Sequence, residues 1–157
     1  MGSLIHLKER DGQHLAYTSG ITGHRGNGLI SIAYLLVGPD GRELFREFHD
    51  TLYWGSLHDA EYLGVQELAD ALKTIPLVDN LFLFCSSKLV VNQLRGAWRI
   101  NVDRHQCFVS KIKIRLRATN WSVNWVPGQS NTVKQWHWEK YNTRLSEVKS
   151  CQEVCGS

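Results

Sequence analysis

The chain has 157 residues, a mass of 18.0 kDa and a formal net charge of +3. Apolar residues make up 43% and charged residues 21%; this excludes a disordered chain and allows one domain with a core that needs no disulfide or metal staple. No run approaches the roughly 18 apolar residues of a membrane span, and the mild basicity suits a nucleic-acid partner without requiring one.

Leu4 to Leu7 reads as a short strand, followed by the turn signal Asp11-Gly12. Leu15 to Thr18 reads as a strand entering a glycine-rich loop, "SGITGHRGNG". Leu29 to Val37 is an apolar, β-branched run; Pro39-Asp40-Gly41 is a strong turn, and Glu43 to Tyr53 alternates. These two runs predict a hairpin. Asp59 to Lys73 carries apolar residues at helical spacing, with Ser56 or Asp59 able to cap its start and Pro76 beyond its end. Leu77 to Cys85 is a further strand and Ser87 to Leu94 a short helix. In Phe108 to Arg117 the residues alternate like a strand, yet Phe108, Ile112 and Leu116 also fall at i, i+4, i+8. Trp121, Val123 and Trp125 alternate as a last strand, and both tryptophans read as core. Asn131 to Val148 reads as a helix with Trp138, Leu145 and Val148 on its apolar side. The order predicts an α/β fold, a mixed sheet with helices packed on its faces.

Cys85, Cys107, Cys151 and Cys155 form no CxxC pair, and Cys85 ends a buried strand. This pattern predicts an intracellular, reduced protein without structural disulfides. The divisions expected are an N-terminal extension over 1–14, one domain over 15–148 and a C-terminal tail over 149–157.

Four stretches carry a family resemblance: "GHRGNGLISIAYLL", "HDAEYLGVQELADAL", "FCSSKLVVNQLRGAWRIN" and "VNWVPGQSN". In this order they resemble the glycine loop, first helix, fourth-strand segment and final strand of the type 1 ribonuclease H family. The similarity spans roughly Leu15 to Leu145. It implies a ribonuclease H-like five-stranded mixed sheet with helices on both faces. It also implies a helix over the ambiguous segment, with Phe108, Ile112 and Leu116 toward the core and Lys113 and Arg117 sharing an exposed face.

The family cuts the RNA strand of an RNA–DNA hybrid with two divalent ions held by four acidic residues. Two such ions repel each other, so carboxylates must hold them. Carried over residue by residue, the first-strand position falls at Thr18 or Ser19, the first-helix position at Glu61, the fourth-strand position at Ser86 and the last-helix position at Gln135. Only Glu61 keeps the carboxylate. No metal or other cofactor is expected, with magnesium or manganese implied only for an active enzyme. Asp11, Asp59 and Glu139 are the carboxylates from which a shifted site would be built.

Arg95, Trp98, Arg99, Lys113 and Arg117 belong to the most basic stretch, which in some family members grips the DNA strand; Arg25 and Asn27 lie in the glycine loop. The reading is a catalytically degenerate ribonuclease H-like domain, a pseudoenzyme that binds RNA or an RNA–DNA hybrid. Two alternatives stay open. One is a protein-interaction or structural subunit of a larger assembly; the other is an active hybrid ribonuclease with displaced ligands. No membrane partner is expected.

Overall fold

The computed structural model describes residues 12–23 and 26–155. The strand expected at Leu4 to Leu7, Asp11 and Arg25 lie outside the described residues. Among the described residues, five strands and four helices follow in the order β1 (Gln13–Thr22), β2 (Asn27–Val37), β3 (Glu43–Ser56), α1 (Leu57–Ala71), β4 (Asn80–Cys85), α2 (Lys88–Leu94), α3 (Asp103–Arg115), β5 (Asn120–Trp125) and α4 (Thr132–Cys155). Single 3₁₀ turns follow α1 and precede α4.

The sheet runs β3-β2-β1-β4-β5. β1, β2 and β3 form an antiparallel meander, while β4 pairs parallel with β1 and β5 parallel with β4. This is the α/β class that the element order predicts. One face carries α1 and the main core, in which Ile30, Ile32, Tyr34 and Leu36 of β2 meet Ala60, Val65 and Leu68 of α1 and Ile112 of α3. The other face carries a smaller cluster of Ala33, Leu35 and Val133, with Tyr17, Phe48 and Trp136 packed against it.

Ser56 caps α1 in a capping box: its hydroxyl accepts from the Asp59 amide, and the Asp59 carboxylate accepts from the Ser56 amide. The segment with two periodicities is α3, with Ile112 and Leu116 fully buried and Phe108 stacked on Tyr62. The helical period wins because its stripe meets α1. The helix ends at Arg115, so Arg117 lies past it and does not continue the Lys113 face.

Two expectations about apolar residues are corrected. Trp125 is 42% exposed. It ends the edge strand β5, where its indole N–H reaches the Ser86 carbonyl and Lys88 lies over its ring. Among the described residues of α4 the buried ones are Val133 and His137, while Trp138, Leu145 and Val148 are 42–48% exposed. The helix turns a mixed face to the sheet, apolar through Val133 and Trp136 and polar through Lys134 and His137.

The crossing of α1 over β1 is close. A Cβ at Gly20 would overlap the backbone of Ala60 and Glu61, and Gly64 faces the Ser19 carbonyl. Gly20→Ala should destabilise the protein by about 3 kcal/mol, because rigid backbone must give way. Urea denaturation measures this; a loss below about 1 kcal/mol would contradict the close crossing.

Candidate functional site

β1, α1, the turn after β4 and the first turns of α4 meet at one end of the sheet. Gly20 lets α1 approach β1 and bring Glu61, which is 3% exposed, to this junction. The β4–α2 turn brings Ser86. From α4 come Asn131, just before the helix, then Lys134 and His137, three residues apart each time and so on one side.

These three residues join the elements. Asn131 Nδ2 donates to the Thr18 carbonyl and to Ser86 Oγ, at 3.0 Å each. Lys134 Nζ lies 2.7 Å from Glu61 Oε1, 3.4 Å from Ser19 Oγ and 3.3 Å from the Gly20 carbonyl. His137 is fully buried, with Nδ1 2.8 Å from Ser19 Oγ and Nε2 2.7 Å from Ser31 Oγ. The ammonium can only donate. One arrangement satisfies every atom: Ser19 Oγ accepts from Lys134, its own proton goes to His137 Nδ1, and Nε2–H donates to Ser31.

Of the positions carried over from the resemblance, Ser19, Glu61 and Ser86 are tied into this network by their side chains. Thr18 contributes its carbonyl; its hydroxyl is buried and has no hydrogen-bond partner among the described residues. Gln135 is exposed and donates to the Gln129 carbonyl, outside the network. Lys134, the residue before it, is the helix side chain that enters the junction. Sequence reasoning missed Lys134, His137 and Asn131. Their spacing was a usable signal, but a basic residue was not sought at a position associated with an acid.

The chemistry of the donor set does not suit a divalent ion. Glu61 already has a cation in contact, and an ammonium repels a doubly charged ion about 4 Å away by roughly 8 kcal/mol at an effective dielectric of 20. The remaining oxygens are neutral hydroxyls and carbonyls. Among the described residues, no group of three or more His, Cys, Asp or Glu side chains is placed to hold a metal ion. Asp59 is committed elsewhere, bonded to Ser56, to Arg104 at 2.7 Å and to His105 at 2.9 Å. Burial alone would raise its pKa; the bonds from Arg104, Ser56 and His105 outweigh that and hold it at about 2. Glu139 is exposed on α4. The Ser19–His137 contact has the geometry of a nucleophile and its base, but both side chains are fully buried, so no substrate reaches them.

The basic segment divides in two. Trp98, Arg99 and Lys113 line a shallow groove of about 470 Å³ between the α2–α3 loop and α3, together with Ile100 and Gln106. Trp98 is 48% exposed. Arg95 instead ties α2 to β5 through the Val123 carbonyl at 2.8 Å and the Asn124 side chain. Arg117 is exposed beyond α3 and Asn27 is exposed at the start of β2.

His137 is pulled down to about 3, first by burial and then by the Lys134 charge. The unfolded chain therefore takes up a proton near pH 6.5 that the folded chain refuses until about pH 3, so stability falls as pH drops across that window. His105 and His14 are lowered too and act in the same direction. His137→Asn should shallow the dependence of unfolding free energy on pH between about 6.5 and 4 by up to about 1.4 kcal/mol per pH unit. Denaturation at stepped pH checks this; parallel slopes in variant and parent would contradict it.

No sequence-family model matches the chain, and a comparison with curated proteins gave no match. Solved structures do match. The RNase H1 of the halophilic archaeon Halobacterium salinarum superposes with a TM-score of 0.70 at 24% identity, covering 76% of this chain and 89% of that one. The N-terminal RNase H domain of a Mycobacterium tuberculosis protein gives 0.70 at 16% identity, covering 82% and 98%. LC11-RNase H1, crystallised with an RNA/DNA hybrid, gives 0.68 at 22% identity, covering 75% and 88%. The chain has the ribonuclease H-like fold.

Proposed function

We propose that this domain binds nucleic acid, RNA or an RNA–DNA hybrid, and does not cut it. The observation that carries the binding half is the groove of Trp98, Arg99 and Lys113. It sets an exposed indole and two cations along one groove, a combination suited to a sugar–phosphate backbone and a base or sugar face. LC11-RNase H1, which shares the fold, was crystallised with an RNA/DNA hybrid. The observation that carries the other half is the Lys134 ammonium against Glu61, the one carboxylate at the positions carried over from the family. Arg117 extends the basic surface past α3, while Asn27, exposed at the start of β2, and Arg25, outside the described residues, have side chains suited to a minor-groove edge and its 2′-hydroxyls. Arg95 is not part of the groove, because its guanidinium is spent on the Val123 carbonyl and the Asn124 side chain of β5.

A protein partner is the second reading, and a specific surface favours it. Leu29 and Trp54 are cross-strand neighbours and both are more than half exposed. Leu29 also borders an apolar groove of about 230 Å³ completed by Tyr141, Leu145 and Val148 of α4.

Replacing Arg99, Lys113 and Arg117 by alanine together should weaken binding to a short RNA–DNA hybrid at least about tenfold in roughly 0.1 M salt. It should also flatten the slope of log affinity against log salt by roughly two to three, about one for each phosphate that is no longer neutralised. Arg95→Ala should lower stability while leaving the salt slope unchanged. Fluorescence anisotropy over a salt series checks both. A parent that binds no duplex, or a triple variant that binds as well as the parent, would remove the nucleic-acid reading and leave the protein-partner surface.

A further inference from the structure

We propose that Lys134 is a tethered counter-cation that neutralises the buried Glu61 carboxylate, so that this end of the sheet binds no divalent ion. The proposal stands whether or not the basic groove binds nucleic acid.

Three observations lead to it. First, the ammonium has three protons and three acceptors: Glu61 Oε1, Ser19 Oγ and the Gly20 carbonyl. One carboxylate, one hydroxyl and one backbone carbonyl carry a single negative charge between them, which one ammonium balances and a doubly charged ion would exceed. The lysine therefore sits in a small oxygen nest as the cation. Secondly, the nest is closed. The Lys134 side chain is 14% exposed and that of Glu61 is 4% exposed, so the pair is desolvated and each member depends on the other for charge compensation. Thirdly, the neighbouring contacts from α4 are neutral. The uncharged His137 imidazole bridges Ser19 of β1 and Ser31 of β2. Asn131 bridges the Thr18 carbonyl and Ser86. Among the described residues, the only buried apolar side chain of α4 is Val133. The helix is thus placed by a polar latch with one internal cation at its centre, and the Glu61 charge is already neutralised within the chain.

A cluster of four carboxylates would repel itself until ions bound. Here the sign is balanced inside the chain. The consequence is a sheet end whose Glu61 carboxylate is already paired within the chain and takes up no divalent ion.

Thermal melting of the full chain tests this in two arms. In the first, the melting temperature of the parent is measured in EDTA and in magnesium or manganese chloride at about 10 mM, at matched ionic strength. The expected shift is within about 1 °C; a saturable rise of several degrees would show an ion bound to the fold and overturn the proposal. In the second arm, Lys134→Met and Glu61→Gln are made singly and together. Each single variant leaves one buried charge unpaired and should lose on the order of 10 °C. The double variant removes both charges and should recover at least about half of that loss. If Lys134→Met fails to fold, the double variant should still fold. A double variant that is as unstable as the sum of the singles, or unfolded, would mean that Lys134 is not the charge partner of Glu61.

Discussion

The contact between Lys134 and Glu61 is the constraint on which the rest of this end of the molecule depends. Glu61 is carried into the interior by α1, and α1 reaches β1 only because Gly20 has no side chain. A carboxylate buried there without a partner would be costly. The ammonium arriving from α4 answers that charge and at the same time bonds β1 through Ser19 and Gly20. One ion pair thus ties a helix on one face of the sheet to a helix on the other, around the sheet end. A pair of this kind is a weak source of net stability, since desolvation offsets much of the attraction, but its removal by halves is expensive. Its value is in specificity: α4 has one register in which Asn131, Lys134 and His137 all find their partners.

That polar docking also explains what α4 leaves uncovered. A helix seated by apolar contacts would have turned Trp138, Leu145 and Val148 inward. Seated by Lys134 and His137, it leaves them half exposed, and its second half borders an apolar groove against Leu29 of β2. The basic groove lies elsewhere, built on α3 and the loop before it. The two grooves are made by different elements and share no lining residue. Among the described residues no helix is long and apolar enough to cross a membrane.

Much of the fold was legible because its signals are local. The apolar run of β2, the alternation of β3, the helical spacing of α1 and the cap candidates Ser56 and Asp59 all act within a few residues. α3 shows the limit: "KIKIRLR" alternates, and only the presence of α1 beneath it selects the helical stripe of Ile112 and Leu116. The candidate site was legible in its strand and α1 positions and not in α4. Gln135 and Lys134 are adjacent, and which of them points inward is set by the rotation of the helix on the sheet. That rotation is fixed by His137 meeting Ser19 and Ser31, two hydroxyls distant in sequence. Nor does composition reveal that Arg95 is spent on the Val123 carbonyl while Arg99 lies beside the exposed Trp98. In sequence they are two similar arginines four residues apart.

The most direct measurement of the central claim is a crystal structure of the protein grown or soaked with manganese and inspected by anomalous scattering. Density for the Lys134 ammonium is expected between Glu61, Ser19 and Gly20, with no anomalous peak within coordination distance of Glu61. A manganese peak on the Glu61 carboxylate, with Lys134 swung out of the nest, would contradict it.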